Sequence, residues 1–207
     1  KHNLKYDALA TLTNKTVVKK RQGVTRDNQN PILNNLVAAL GTNNSQLETT
    51  FVSGVFKLEK GKHLQKSDRS KVLIHEKLAA QNHLKVGDKF KLQGISLRDG
   101  DAKNGNEIEV EVAGIFSGKK EEKQTGLSSD ATENTLYLDY ESSQRLAGYK
   151  ATDYQVTSAV YYVANPKNID QVVTAVKKAP IDWSKLDLVK NTKAFETISS
   201  SITSFKQ

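Results

Sequence analysis

The chain of 207 residues contains neither cysteine nor methionine. Without cysteine it has no disulfide, no thiolate metal site, no thiol nucleophile and no thiol redox switch. This composition fits an exported protein of a bacterium that does not depend on disulfides. Because translation starts with methionine, we expect the sequence to be an excised or processed segment of a longer protein.

Long hydrophobic runs are also missing. No stretch approaches the roughly 20 apolar residues that a membrane-spanning helix needs, and the best run extends only from Ala159 to Ala164. The basic start and apolar core of a signal peptide are not present either. The sequence therefore predicts that this part of the chain does not cross a membrane.

Arginine is scarce in a basic chain. The formal net charge is +8, from 31 basic and 23 acidic residues. Nucleic-acid-binding proteins use arginine for bidentate contacts with bases, whereas the basic residues here are mostly scattered lysines. We therefore expect no nucleic-acid partner. Two interpretations of the charge stay open: a solvated surface that keeps the protein soluble, or attraction to an anionic surface such as lipid headgroups or wall polymer.

Motifs that carry chemistry are incomplete. The segment from His75 to Ala79 begins like a zinc-protease helix, but Ala79 stands where the second histidine is required. The four histidines show no ligand spacing, and there is no Gly-rich phosphate loop and no G-x-S-x-G turn. We therefore predict no catalytic residue, no metal and no cofactor, and a protein that is not an enzyme.

Helical and strand patterns recur at both ends of the chain. In the first part, Leu4, Ala8 and Leu12 have helical spacing, Pro31 to Leu40 predicts an amphipathic helix ended by Gly41, and Glu48 to Phe56 predicts a strand. In the last part, Gln155 to Val163 predicts a strand, a helix follows Pro166 until Pro180, and Leu186 to Val189 predicts another strand. Each end therefore predicts a β-α-β unit.

The middle of the chain is rich in strands and turns. Two strands flank a short helix in the segment from Gly61 to Leu92, and a tight turn at Lys85 to Asp88 precedes the second strand. Val110 to Phe116 and Thr135 to Leu138 predict further strands, and Tyr140 to Gly148 predicts a short helix. A polar stretch from Lys119 to Glu133 predicts an exposed, mobile loop. The fold class predicted is α+β, with two split β-α-β halves around an inserted β-rich subdomain. The boundaries place 1–57 plus 151–207 in the first subdomain and 58–150 in the second.

A last helix begins after Thr192 and carries an apolar stripe with spacings of three, four and three residues. Two interpretations apply: the helix docks on the sheet of this domain, or it is a stalk that leads toward a membrane helix. The stripe consists of Phe195, Ile198, Ile202 and Phe205.

Four stretches together resemble one family. They are Val52 to Gly61 with Asp68, Lys71 to Asp88, Val110 to Phe116, and the β-α-β unit 155–190 with the helix after it. This arrangement is similar to the extracytoplasmic domain of MacB-like and FtsX-like permeases, the membrane subunits of a class of ABC transporters. The residues that carry the family's scaffold pattern are Gly61, Asp68, Leu78, Ala79, Val86, Gly87, Asp88 and Gly114.

The resemblance implies a function without catalysis. Such a domain lies on the extracellular side of the membrane, between the first two transmembrane helices, and transmits the effect of cytoplasmic ATP hydrolysis. The expected partners are a separate cytoplasmic ATPase, a second permease chain in a homodimer or heterodimer, and an extracellular peptide or protein. The expected substrate is a peptide-like or amphipathic molecule, and the stripe from Phe195 to Phe205 would be the coupling helix.

A second interpretation is a surface module that recruits or activates an extracellular partner such as a cell-wall hydrolase. The high lysine and asparagine content favours a low-GC Gram-positive source and, within the family, an exporter of the Vex kind.

Overall fold

The computed structural model describes residues 2–20, 31–98, 101–180 and 188. Within these residues, the chain forms eight strands, four α-helices and several 3-10 turns. The strands are β1 His2–Leu12, β2 Leu36–Thr42, β3 Phe56–Gly61, β4 Lys71–His75, β5 Lys89–Arg98, β6 Asp101–Gly118, β7 Thr135–Asp139 and β8 Ser158–Tyr161. The helices are α1 Thr49–Val52, α2 Glu76–Gln81, α3 Tyr140–Leu146 and α4 Ile169–Lys177. The 3-10 turns are Pro31–Asn34, Ser45–Leu47, Ser128–Asp130, Thr132–Asn134 and Pro166–Asn168.

Six of the strands close into a ring. Their order is β2-β7-β4-β6-β5-β1, and pairing of β1 with β2 completes the circle. The pairs β2–β7 and β4–β6 are parallel, whereas the other four pairs of the ring are antiparallel. β3 adds to the outside of the ring along β6, and β8 follows β1 in the sheet. Closure leaves few unpaired backbone groups at strand edges.

Alternation along the strands divides the apolar residues between two cores. Val72 and Ile74 of β4 belong to the larger core, and Leu73 between them belongs to the smaller one. The same alternation in β7 puts Leu136 in the larger core and Tyr137 in the smaller. Each fully buried large apolar side chain contributes about 1.5–3 kcal/mol, so both cores hold the ring together.

The smaller core lies under β3 and is mostly aromatic. Its buried members are Phe56, Leu64, Leu73, Phe116 and Tyr137. Phe51 of α1 packs edge-on or tilted against the rings of Phe56, Phe116 and Tyr137, at centroid distances of 5.8, 5.7 and 5.5 Å. Such aromatic pairs add about 0.5–1.5 kcal/mol each beyond the area they bury. β3 and α1 are therefore attached to the ring through this cluster.

Glycine lets α3 lie close against the ring. A Cβ atom at Gly41 of β2 would overlap the side chain of Ser143, and one at Gly94 of β5 would overlap the carbonyl oxygen of Leu146. Gly41 was predicted to end a helix. Its role in the structure is to make room for α3 inside a strand.

Three predictions for the first part of the chain are wrong. The residues from Leu4 to Leu12 form strand β1, and those from Leu36 to Thr42 form strand β2. The segment predicted as a strand from Glu48 onward holds helix α1, and β3 starts only at Phe56. β2 is a continuous apolar run, for which periodicity does not separate a helix from a strand. Pairing with β1 and β7 decides the outcome.

The other predicted elements are confirmed where the structure describes them. β4, α2, the turn before β5, β6, β7, α3 and α4 lie where the patterns predict them. The strand predicted for Gln155 to Val163 is shorter and covers Ser158–Tyr161. The fold class α+β is confirmed, with one large sheet and few helices. The predicted strand Leu186 to Val189 and the helix after Thr192 fall outside the described residues, apart from Leu188.

The chain divides into two compact units. The larger comprises Asn3–Val160, and the smaller comprises Lys1–His2 with Tyr161–Gln207. The subdomain boundaries drawn from the sequence at 57/58 and 150/151 remain a prediction. In the smaller unit, the described residues of α4 include none that is buried. Within the described ranges, no helix is long and apolar enough to cross a membrane.

Candidate functional site

Two of the predicted scaffold residues meet on adjacent strands. Gly61 at the end of β3 pairs directly with Gly114 of β6. Gly61 has a φ of +79°, and a Cβ atom there would overlap the carbonyl of Ala113. A Cβ atom at Gly114 would lie 2.9 Å from side-chain atoms of Leu58 and Leu73. The backbones of β3, β6 and β4 therefore approach each other at a point where only glycine fits.

Two bulges accompany this close approach. β3 and β6 shift register between Leu58 and Lys60, which leaves Glu59 of β3 as the extra residue. β4 and β6 shift between Val72 and Leu73, which leaves Ala113 of β6 as the extra residue. A bulge adds one unpaired residue, bends its strand and increases the local twist. The bulge at Ala113 therefore bends β6 where this long strand pairs with both β4 and β3.

Three other scaffold residues form the turn that enters β5. The backbone N–H of Gly87, which has a φ of +93°, donates to the carbonyl of Val112 over 2.8 Å. The carbonyl of Asp88 accepts from the N–H of Val112, and its carboxylate accepts from the N–H of Lys85 over 2.8 Å. Val86 at the tip is 44% exposed. The turn is thus fixed to β6 by its backbone and presents one apolar side chain to solvent.

Asp68 closes a turn in the same manner as Asp88. Its carboxylate accepts from the backbone N–H of Gln65 over 2.7 Å, and its own N–H donates to the carbonyl of Gln65. Leu78 and Ala79, the remaining scaffold residues, are buried in the larger core on α2. The structure therefore places the eight scaffold residues in turns, close contacts and core, where they hold the backbone.

The incomplete zinc motif has a structural use. His75 is the N-cap of α2: its Nδ1 accepts from the N–H of Lys77 over 3.2 Å, and its Nε2 lies 2.9 Å from the carbonyl oxygen of Gly118. Both ring nitrogens have hydrogen-bond partners, and the side chain is buried. No group of three or more potential ligands occurs in the part of the chain that the structure describes.

A cleft with charged walls lies between α3 and the neighbouring strands β4, β6 and β5. Its volume is about 470 Å³. Arg145 donates to the hydroxyls of Ser70 and Ser142, both over 3.0 Å. Lys71 and Arg69 are in ion pairs with Glu111 and Glu141. The cleft is lined by Arg69, Ser70, Lys71, Lys89, Glu109, Val110, Glu111 and Arg145.

Asp139 lies beneath this cleft and organises it. One carboxylate oxygen accepts from the N–H of Lys71 over 2.9 Å and the other from the N–H of Ser142 over 3.0 Å. Burial raises the pKa of Asp139 above its ordinary value, and the hydrogen bonds to its carboxylate oppose that shift. Both carboxylate oxygens bond the backbone where β4 starts and α3 begins, which is a structural role.

A second buried carboxylate joins β1 to the segment after β2. Glu48 is 4% exposed, accepts from the amide of Asn3 over 2.8 Å and lies 3.0 Å from the ammonium of Lys5. The amide oxygen of Asn3 accepts from the hydroxyl of Thr42 over 2.8 Å. The sequence patterns gave no signal for this network, because its members are polar residues within segments that were assigned to other elements.

His63 contacts the aromatic cluster and a buried serine. Its ring lies 4.8 Å from that of Phe51, and its Nδ1 is 2.8 Å from the hydroxyl of Ser45. The same hydroxyl accepts from the N–H of Leu64 over 2.8 Å. The Ser45 hydroxyl thus joins the backbone of Leu64 to the imidazole, and the tautomer of His63 sets which of the two side chains donates. Burial lowers the pKa of His63 below its ordinary value.

The predicted loop from Lys119 to Glu133 is exposed only in its first half. From Ser128 onward it forms two 3-10 turns, and Ser128, Thr132 and Glu133 are buried. The prediction of an exposed loop is wrong for these three residues, because the two hydroxyls have hydrogen-bond acceptors and lysines lie beside the carboxylate of Glu133. The hydroxyl of Ser128, for example, donates to the carbonyl of Leu36 over 2.9 Å.

Glu133 is surrounded by lysines. Its Oε1 lies 3.5 Å from the ammonium of Lys19 and 3.8 Å from that of Lys77. Among the described residues its Oε2 has no hydrogen-bond partner. The lysines nearby exclude a cation as its ligand, since they already compensate the buried charge.

These groups do not form a catalytic set. In the described ranges, the buried carboxylates are tied to backbone N–H groups, amides or lysines, and the buried histidine caps a helix. Each of these groups holds part of the backbone in place. The four predicted coupling residues Phe195, Ile198, Ile202 and Phe205 lie outside the described residues.

Comparison with known proteins identifies the family of this domain. The model of the MacB-like periplasmic core domain matches residues 4–179. The chain belongs to this family. It is also 30% identical over 165 residues to the uncharacterized ABC transporter permease YclI of Bacillus subtilis (strain 168), an alignment that covers 75% of this chain.

This periplasmic core domain is the extracellular domain of an ABC transporter permease. The resemblance seen in the sequence is thereby confirmed, as is its placement on the extracellular side of the membrane. The Bacillus relative agrees with a Gram-positive source. The alignment spans 32% of the length of that relative.

Proposed function

We propose that this domain couples cytoplasmic ATP hydrolysis to the export or handling of a peptide-like or amphipathic substrate at the outer face of the membrane. Its partners would be a separate cytoplasmic ATPase and a second permease chain, in a homodimer or a heterodimer. Membership of the permease family supports this proposal.

One observation carries the mechanical part of the proposal. His2 belongs to the same compact unit as the chain from Tyr161 onward, and the rings of His2 and Tyr161 lie 5.9 Å apart. The chain therefore passes between the units at two peptide bonds, before Asn3 and after Val160. Both crossings lie in strands, β1 and β8, which are neighbours in the sheet order. A displacement of the smaller unit would reach the larger unit through these two connections of the chain.

The coupling helix is the part of this proposal that mutation tests most directly. In the full permease assembled with its ATPase, Ile202→Asp should abolish export of a fluorescently labelled amphipathic peptide from vesicles, because it places a charge in the apolar stripe. ATP hydrolysis should continue without export. The circular dichroism spectrum of the domain should remain that of the wild type.

Ser200→Asp is the matched control. By helical spacing it puts the same charge on the polar face, about 160–200° around the helix from Ile198 and Ile202. We expect normal export from this variant. Export by Ile202→Asp at the wild-type rate would contradict the coupling role.

The second candidate is a surface module that binds an extracellular partner, and exposed lysines favour it. Between residues 57 and 71 the sequence has six basic and two acidic residues. Lys60, Lys62 and Lys66 are exposed, and within the described ranges they have no ion-pair partner. A pull-down from cell-wall extract that recovers no protein would count against this function.

A further inference from the structure

A wedge-shaped cavity opens where β1 changes partner. β1 pairs with β5 only from Leu9 to Leu12. Nearer its start, the carbonyl of Lys5 accepts from the N–H of Thr157 over 2.8 Å, and the N–H of Asp7 donates to the hydroxyl of Thr157 over 2.9 Å. β5 and the segment before β8 therefore separate along the same edge of β1. The cavity between them has a volume of about 260 Å³.

The bend of β5 and β6 has an identifiable cause. Their register shifts between Gln93 and Ile95, which leaves Gly105 and Asn106 in a bulge. The amide of Gln93 donates to the carbonyl of Gly105 over 2.7 Å, and the amide of Asn106 donates to the carbonyl of Arg145 over 2.8 Å. A bulge bends a strand and increases its twist. These bonds fix the bulge between β5 and α3, next to the point where the pairing of β5 with β1 ends.

The end of β5 offers a free strand edge in this wedge. Ser96, Leu97 and Arg98 pair with β6, and in the part of the chain that the structure describes they have no strand on their other side. An unpaired strand edge presents backbone donors and acceptors that another extended chain can use. This edge therefore fits a peptide backbone better than a compact molecule.

The walls of the cavity combine one acid with aromatic and aliphatic groups. Asp7 is exposed, and it is the charged residue of the lining. Tyr6 and Tyr149 meet edge to face with ring centroids 5.8 Å apart, and Leu97 is 39% exposed. The volume is slightly below the roughly 300 Å³ of the smallest pockets for drug-sized ligands, so it would hold part of a longer molecule.

We propose that the wedge binds an extended peptide segment that adds as a strand to the edge Ser96–Arg98. An apolar side chain of the peptide packs against Leu97 and Tyr149, and a basic side chain pairs with Asp7. Strand addition of this kind takes affinity from main-chain hydrogen bonds and specificity from alternate side chains. The net charge of +8 repels a basic peptide only weakly, because salt screens charges beyond about 8 Å at 0.15 M. This site rests on the proposed function, and names its substrate as a basic, extended peptide.

The test is fluorescence polarisation with the 207-residue chain and a labelled heptapeptide of alternating valine and lysine. We expect a dissociation constant below about 1 mM. Asp7→Asn should weaken binding about 2–5-fold, which is the range for an exposed ion pair. Leu97→Ser should weaken it by a similar factor, and this variant should fold normally since Leu97 is partly exposed.

Three controls make the result specific. Asp153→Asn removes an exposed carboxylate outside the cavity and should bind like the wild type. A heptapeptide with N-methyl groups at alternate residues cannot donate along one edge and should bind more than 10-fold more weakly, since each lost hydrogen bond is worth about 0.5–1.5 kcal/mol. A heptapeptide with glutamate in place of lysine should also bind more weakly.

Several outcomes would overturn the site. The site would be overturned if the valine–lysine peptide did not bind or if the N-methylated peptide bound as tightly as the unmodified one. It would also be overturned if Asp7→Asn and Leu97→Ser both kept the dissociation constant of the wild type. None of these results bears on ATP-driven coupling, which the Ile202→Asp variant tests separately. If Ile202→Asp loses coupling and the 207-residue chain binds no valine–lysine peptide, the proposed function stands and the wedge is not a peptide site.

Discussion

At the scale of single residues, buried polar groups in this domain fix where elements begin. His75 caps α2 with one ring nitrogen and reaches the carbonyl of Gly118 with the other. Asp139 joins the starts of β4 and α3 through two backbone N–H groups. Removing one partner of such a buried bond costs about 1–3 kcal/mol. The polar residues of the interior are therefore structural, although their types are those found in active sites.

His63 gives the fold a pH dependence. Burial lowers its pKa, so the folded state binds its proton less readily than the unfolded chain does. The contribution of His63 to the free energy of unfolding is fully present above the unfolded pKa of about 6.5. It is lost as the pH drops from there toward the lower pKa of the folded state.

We predict that His63→Asn reduces this loss of stability. The midpoint of urea unfolding, measured between pH 7.5 and 5, should decline less in the variant than in the wild type, since asparagine does not titrate. All other titratable groups are common to both proteins, so their contributions cancel in the difference. Parallel curves for the two proteins would show that His63 is not responsible.

At the scale of elements, close contact between strand backbones requires glycine. Gly61 and Gly54 have the same φ of +79°, but their surroundings differ. Nothing lies within 4 Å of a Cβ atom placed at Gly54, whereas one at Gly61 would overlap the carbonyl of Ala113. The two positions therefore separate the cost of backbone conformation from the cost of crowding.

We predict that Gly61→Ala lowers the free energy of unfolding more than Gly54→Ala does. The second variant should lose roughly 1–2 kcal/mol for the left-handed conformation alone. The first should lose about 1–3 kcal/mol in addition, as overpacked sites do. Urea unfolding of both variants measures the difference. Equal losses would mean that β3 shifts away from β6 at no cost.

Elements with local signals could be predicted from the sequence, and elements decided by distant partners could not. Apolar runs and turn residues follow one another along the segment that contains β4, α2 and the turn at Val86 to Asp88. The sequence pattern was therefore enough to predict these elements. β1 has Leu4, Ala8 and Leu12 at helical spacing, yet it pairs with β2 and β5, strands that follow it much later in the chain. Tertiary pairing overrides such a weak local preference.

In the candidate sites, too, residues with local signals could be predicted, and residues placed by distant partners could not. The scaffold glycines and the aspartates of the turns were visible, because turn chemistry is local. The wedge at Asp7 and Leu97 was not visible, since it arises from a bulge and from a strand that changes partner. The burial of Ser128 and Thr132 was missed because composition does not show which hydroxyl groups find acceptors.

At the scale of the whole molecule, the two units differ in how much of their described part is buried. The ring contains the larger core, with many side chains at 0% exposure, among them Val72, Ile74 and Leu136. α4 in the smaller unit has no buried residue. Local opening costs least where few apolar groups are buried.

We predict that amide hydrogen exchange separates the units. Amides of β4, β6 and β7 should exchange slowest, at a rate set by global unfolding of the ring. Amides of α4 should exchange many times faster under the same conditions. Mass spectrometry of peptic fragments measures both sets in one sample. Protection of α4 equal to that of β4 would contradict this difference in stability.

The lysines of β3 also bear on how the protein behaves at high concentration. Among the described strands, β3 pairs on one side only, and Lys57 and Lys60 lie exposed along it. Two copies that approach edge to edge would bring like charges together, and charged edge strands are a common defence against fibril formation. A domain crowded at a cell surface thereby keeps an unpaired strand without joining its neighbours into aggregates.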